Sequence, residues 1–339
     1  MSLADVCLVG IALGMTAYVV LGGADFGGGF WDLTAGGAER GRPLRELVRH
    51  SMGPVWETNH VWLVFVLVLA WTAFPVAFGS AMSTLYVAGF LAVAGIVLRG
   101  TAFALRGQAS SRPEARLLGA TFALSSVLAP FCLGAAAGGI ASGRVPVGNA
   151  AGDPWASWLN PASLLIGVLA VLLSAFLAAV FLAADADRAG LLELRRAFRA
   201  RALATGCVVG AIAIGGLLVL RSDARALFDG LTSGRALICV VLSVLAGLAT
   251  LALVWRGRFA AARYVAAVAV AAITAGWALA QYPQLLPGEL TVAQAAAPDA
   301  TLVALLVSAA LGALTIAPAQ LALYRMAVTG RLSGRSETS

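Results

Sequence analysis

Long apolar stretches recur along the whole chain, each close to the roughly 20 residues that an α-helix needs to cross a bilayer. Backbone N–H and C=O groups find no water inside the hydrocarbon core, so every such stretch must be helical. We predict an all-α fold, a polytopic bundle of about nine transmembrane helices forming a single membrane domain over residues 1–339. The predicted spans lie near 5–27, 54–74, 76–98, 117–140, 161–184, 203–220, 236–255, 262–280 and 301–324.

The charge distribution supports a membrane protein and orients it. Only 12% of the residues are charged, against about 25% in an ordinary soluble domain. All 23 basic residues are arginines in short segments between apolar stretches, which argues against a nucleic-acid-binding surface. Alternate loops hold 19 and 4 of them, so the positive-inside rule predicts an outer N-terminus and an inner C-terminus. The first span lacks the basic start of a signal peptide, and we expect it to be retained.

Three connecting segments have recognisable patterns. Pro75 leaves almost nothing between the second and third spans, which predicts a tight antiparallel hairpin. The inner segment 44–50 has helical spacing and is expected to lie along the membrane surface. The outer segment 281–300 is rich in proline and predicts an irregular loop. The four cysteines lack metal or disulfide spacing and are expected to be small buried residues: Cys7, Cys132, Cys207 and Cys239.

Two acids fall at the ends of spans, where ionisable groups are costly and commonly functional. Asp25 ends the first span and Glu57 begins the second, so both are expected near the inner face, where they could share one polar pocket. The alternative is that both are wetted interfacial residues. Polar or aromatic neighbours surround Glu57 within about one and a half turns: Trp56, Thr58, Asn59, His60 and Trp62. This cluster suits a proton relay or a contact with a polar cofactor edge.

Other polar features have simpler interpretations. His60 is one of two histidines, with His50, and is interpreted as a hydrogen-bonded structural group rather than a haem or metal ligand. Arg99 and Arg106 follow the third span; they either snorkel to the interface or pair with Glu57 or a cofactor propionate. The glycines at 27–29 lack a phosphate-loop pattern and are predicted to end the first helix.

Several motifs together resemble subunit II of the cytochrome bd-type quinol oxidases, including the cyanide-insensitive branch. The most specific are ADFGGG, PVWETNHVWL and the pattern of Arg99, Phe103 and Arg106. Weaker support comes from Pro130, Gly134, LNPASLLIG, YPQLLP, Pro318 and Tyr324. The resemblance covers most of the chain.

The resemblance implies one subunit of a respiratory enzyme in the bacterial cell membrane. A partner, subunit I, would carry haem b, haem d and the quinol loop, and the heterodimer would oxidise quinol and reduce dioxygen to water. The resemblance places Glu57 at an acid of the proton path from the inner side, supported by Asn59, His60 and Asp25. Trp56, Trp62, Arg99 and Arg106 are candidate haem-side or charge partners. Small accessory subunits and a structural quinone are further expectations.

The chain departs from the family pattern at three places. Glu57 stands where many members have Asp, a second acid before Asp25 is missing at Gly22 and Gly23, and another is replaced by Ala104. These departures put a proton path copied residue by residue in doubt. Two other functions remain open at this point: a secondary transporter, although no internal repeat is visible, and a purely structural membrane subunit.

Overall fold

A computed structural model of the chain describes residues 1–37, 39–53, 56–109 and 111–328. Within these residues it contains thirteen α-helices, one 3-10 turn and one two-stranded hairpin. In chain order the helices are α1 Leu3–Leu33, α2 Arg42–Met52, α3 Trp56–Ala73, α4 Pro75–Thr84, α5 Tyr86–Leu105, α6 Arg112–Ala141, α7 Pro161–Arg188, α8 Leu192–Asp223, α9 Arg225–Leu231, α10 Gly234–Trp255, α11 Phe259–Gln281, α12 Val292–Ala295 and α13 Asp299–Val328. The strands are β1 Gln284–Leu286 and β2 Leu290–Thr291.

The prediction of about nine membrane-spanning helices is confirmed. Among the described residues, 8 helices are long and apolar enough to cross a bilayer, and the bent pair of α2 and α3 brings the number to as many as 9. The first predicted span and the last six each coincide with one long helix. Positions 54 and 55, at the start of the second predicted span, lie outside the described residues.

The third predicted span and its tight hairpin are wrong. Helix α3 ends at Ala73, and Pro75 starts the separate ten-residue helix α4, where its missing N–H and fixed φ fit the first turn. The spanning helix is α5, which begins at Tyr86 rather than near 76. Residues 61–98 are almost continuously apolar, so length alone could not show which part crosses the bilayer.

Helix α2 confirms the helical pattern predicted for residues 44–50. Its buried apolar side chains lie in the same cluster as residues of α1 and α7: Leu44, Leu47, Val48 and Met52. The helix axis is bent by 54° from α3. The amphipathic segment therefore turns away from the direction of the span that follows it.

The outer segment 281–300 is more ordered than predicted. Strands β1 and β2 pair antiparallel, and Thr291 caps the short helix α12 by a capping box with Gln294. The backbone N–H of Ala297 then donates to the carbonyl of Ala73 at 2.8 Å. These hydrogen bonds fix the connection between α11 and α13, which the proline content alone did not reveal.

Helix α1 lies at the centre of the bundle, and its glycines let neighbouring helices approach. The prediction that glycines 27–29 end the helix is wrong, because α1 continues to Leu33 with all three buried. A Cβ at Gly27 would lie 1.9 Å from the backbone oxygen of Ser174 on α7, and one at Gly29 would lie 2.1 Å from Ser126 Oγ on α6. Here the glycines serve close packing rather than termination.

The cysteine prediction holds only in part. All four thiols are free, but only Cys7 and Cys132 are buried. Cys207 is exposed on α8 and Cys239 on α10 is half-buried. Both lie on helices whose exposed faces are apolar, and the sequence alone does not distinguish such a face from a buried core.

Candidate functional site

The most deeply buried charges of the chain form an ion pair between α1 and α5. Asp25 is 0% and Arg99 is 2% exposed, and Arg99 Nη2 lies 2.7 Å from Asp25 Oδ1. Arg99 Nη2 also donates to the backbone oxygen of Asp25 at 3.2 Å, and its Nε donates to Ser126 Oγ on α6 at 3.0 Å. The guanidinium carbon lies 5.1 Å from the ring centroids of Phe26 and Phe122. A desolvated arginine is thus paired with a carboxylate and with two further oxygen acceptors.

This geometry corrects both interpretations of Arg99. The side chain is buried in protein, so it does not snorkel to the interface, and its carboxylate partner is Asp25 rather than Glu57. The interpretation of Asp25 as a wetted interfacial residue is also wrong.

A second carboxylate, Asp32, was not singled out from the sequence. It is 5% exposed at the end of α1 and forms salt bridges with Arg45 of α2, at 2.6 Å, and with Arg106 beyond α5. Arg45 also donates to the carbonyl oxygens of Gly36 and Gly37. Asp32 therefore joins three segments at the predicted inner end, and it is the charge partner of Arg106.

Asp25 and Glu57 do not share a pocket as predicted. On α3, Asn59 is 1% exposed and its Nδ2 donates to the backbone oxygen of Leu21 on α1 at 3.3 Å. Residues two apart on an α-helix point about 200° away from each other. Glu57 accordingly lies on the opposite side of α3 from Asn59 and is exposed.

His60 lies in an aromatic enclosure between α1 and α3. Its Nδ1 is 2.9 Å from the backbone oxygen of Trp56, and its ring centroid lies 5.9 Å from those of Tyr18 and Phe26 and 6.4 Å from that of Trp56. This agrees with the interpretation of His60 as a hydrogen-bonded group. Trp56 also packs against Phe103 at 5.5 Å, whereas Trp62 packs against the cluster formed with Tyr18 and Phe26.

The described residues do not fit a haem. The chain has two histidines: His50 is exposed on α2, and the ring of His60 is surrounded by those of Tyr18, Phe26 and Trp56. Throughout the described ranges, no three side chains of His, Cys, Asp or Glu come together as a metal site.

The fold and this site define a class of protein, a polytopic all-helical membrane subunit with an ion pair buried among its spans. The chain belongs to the family described as cytochrome bd terminal oxidase subunit II, whose model matches residues 3–327. It is a multi-pass membrane protein of a family of terminal oxidase subunits.

Individual relatives agree with this family. The chain is 27% identical over 133 residues to cytochrome bd ubiquinol oxidase subunit 2 of Bacillus subtilis, covering 39% of this chain and 38% of that protein. It is 28% identical over 175 residues to cytochrome bd-I ubiquinol oxidase subunit 2 of Escherichia coli K12, covering 48% and 43%. The match therefore spans about two fifths of the length of these relatives.

A solved structure shares the fold. The bd oxidase from Geobacillus thermodenitrificans contains a chain that superimposes with a TM-score of 0.77, covering 96% of this chain and 98% of its own length. The sequences are 24% identical, so this likeness supports the arrangement of helices alone.

Proposed function

We propose that this chain is the subunit II of a cytochrome bd-type terminal oxidase that oxidises quinol and reduces dioxygen to water. Family membership supports an oxidase subunit. Because the described residues do not fit a haem, we assign haem b and haem d to a partner, subunit I, which would supply the redox chemistry. This proposal also includes the heterodimer with subunit I, the quinol donor, any small accessory subunit and a structural quinone.

The observation that carries the proposal is the position of Glu57 on an apolar face of α3. The exposed side chains of this face follow one another at intervals of four and three residues: Glu57, Val61, Val64, Val68 and Trp71. Such spacing keeps them on one side of the helix. A carboxylate at the end of an apolar stripe that lies at the depth of the bilayer is expected to contact protein rather than acyl chains. We therefore assign this stripe to the contact with subunit I.

In this assignment Glu57 takes up protons at the predicted inner side and delivers them towards the partner. Asn59 holds α3 against α1, so that Glu57 keeps its outward direction. The pair of Asp25 and Arg99 joins α1 to α5. These groups position the carboxylate, and Glu57 alone exchanges protons with the partner. Replacement of Asp by Glu at this position extends the reach of the carboxylate by one methylene.

The test is Glu57→Gln in the assembled complex. The amide keeps the size of the side chain but cannot carry a proton, so oxygen reduction should fall by about ten-fold or more, as for loss of a general acid or base. The visible haem spectrum should be unchanged. Glu46→Gln is the matched control, because Glu46 is an exposed acid on α2 paired only with exposed Arg42.

Unchanged oxygen reduction in Glu57→Gln, with intact haems, would contradict the proton role and leave a purely structural subunit. A colourless preparation without a co-purifying partner would contradict the oxidase assignment itself.

A further inference from the structure

Eight buried polar side-chain atoms in the described part of the chain have no hydrogen-bond partner, and four of them belong to residues of the neighbouring helices α1 and α3. These four are Tyr18 Oη, Asp25 Oδ2, His60 Nε2 and Trp62 Nε1. Buried polar groups of native proteins nearly always have a partner, and one left unsatisfied costs about 1–3 kcal/mol. Four such groups in one region indicate a common partner rather than four separate defects.

Ring contacts show that these residues are contiguous. The ring centroids of Tyr18 and His60 lie 5.9 Å apart, those of Phe26 and His60 lie 5.9 Å apart, and those of Tyr18 and Phe26 lie 6.4 Å apart. Trp62 packs against the same cluster. Asp25 precedes Phe26 in α1. We call the region around the side chains of Tyr18, Asp25, His60 and Trp62 the polar chamber.

The ring of Tyr18 leans along α1 towards Asp25. A Cβ at Gly22 would lie 3.0 Å and 3.1 Å from two carbons of that ring, so the ring lies across the position where Gly22 has no side chain. Tyr18 and Asp25 are seven residues apart, which places them on one face of the helix, two turns or about 10 Å along its axis. The hydroxyl of Tyr18 therefore bridges part of the distance to Asp25.

The four groups define the chemistry of their partner. Asp25 Oδ2 needs a donor, and Trp62 Nε1 needs an acceptor. The hydroxyl of Tyr18 does both, and His60 Nε2 does either according to its tautomer. A small molecule that donates and accepts at once meets all of these needs. Water is such a molecule, and buried waters commonly make about three hydrogen bonds to groups of this kind.

We propose that the polar chamber binds ordered water that links Asp25 Oδ2 to Tyr18 and His60. This water site does not rest on the proposed function. It lies on the side of α3 that packs against α1, whereas Glu57 is exposed on the opposite side. Tyr18 is a positioning residue that orients these waters.

The water site is tested by infrared difference spectroscopy of the reduced and oxidised complex in ordinary and ¹⁸O water. Wild type should show O–H stretching bands of weakly bonded water that shift with the isotope. Tyr18→Phe keeps the ring but removes the hydroxyl, and it should lose or shift these bands. Tyr86→Phe is the control, because Tyr86 is 56% exposed on α5. Bands that are identical in Tyr18→Phe and wild type would overturn the site.

A second variant displaces the Tyr18 hydroxyl without removing it. Gly22→Ala brings a methyl group against the Tyr18 ring at about 3.0 Å and should alter the same bands, whereas Gly23→Ala meets its neighbours at 3.5 Å and should not. Equal spectra for the two alanine variants would contradict the packing of Tyr18 that the chamber requires.

Failure of the proposed function would instead appear as unchanged turnover in Glu57→Gln, whatever the spectrum of the chamber.

Discussion

At the scale of single residues, the ion pair of Asp25 and Arg99 dominates the interior. The sequence marked both residues as unusual, because charges within spans are rare. It could not pair them, since 74 positions separate the two and several arginines were equally available. Tyr18 and Asp32 escaped notice for a different reason: a tyrosine in a span and an acid just beyond one are ordinary. Only the packing of α1 against its neighbours gives them their roles.

Removal of the Arg99 charge should destabilise the subunit. Arg99→Gln leaves Asp25 buried without its counter-ion, and loss of one partner of a buried pair costs about 3–5 kcal/mol. The thermal midpoint of the purified complex, followed by its haem absorbance, measures the effect. Arg42→Gln is the control, because its pair with Glu46 is 71% and 51% exposed and contributes little to stability.

The double variant Asp25→Asn with Arg99→Gln separates charge from packing. It removes both charges together and should recover part of the stability that Arg99→Gln loses. A double variant less stable than Arg99→Gln alone would show that the cost lies in packing rather than in an uncompensated carboxylate.

At the scale of elements, α1 organises the bundle through its glycines. The existence and approximate place of most helices were predictable, because bilayer thickness fixes their length and arginines mark their ends. The break at Pro75 and the continuation of α1 through its glycines were not. Both depend on which neighbour approaches the backbone, and an apolar stretch with equal hydrophobicity all round gives no such information.

The close contact between α1 and α7 at Gly27 predicts a position that is sensitive to substitution. Gly27→Ala would place a methyl group 1.9 Å from the backbone oxygen of Ser174, and neither backbone can yield without separating α1 from α7. Overpacking of this kind costs about 1–3 kcal/mol or more. The yield and thermal midpoint of the complex should both fall. Gly23→Ala, four residues earlier on the same helix, should be tolerated; equal loss in both variants would contradict this account.

At the scale of the whole molecule, the orientation remains a prediction from the arginine bias. Single cysteines at two exposed loop positions test it: Ala151→Cys should react with a membrane-impermeant maleimide from outside intact cells, and Ala189→Cys should react only after lysis. The chain with its native cysteines gives the background, because Cys207 is exposed within a span. The reverse labelling pattern would invert the bundle and move Glu57 to the outer side.

Helix α13 is the span least supported by the rest of the chain. Only 6% of its most apolar segment is buried. One polar contact with the bundle is the hydrogen bond that Gln320 Nε2 donates to the backbone oxygen of Thr58 at 2.9 Å. Until lipid or another protein covers α13, its hold on the bundle is weak, so this helix is the span most exposed to membrane quality control. A cell that makes this chain without its companion should therefore degrade it faster than the assembled subunit.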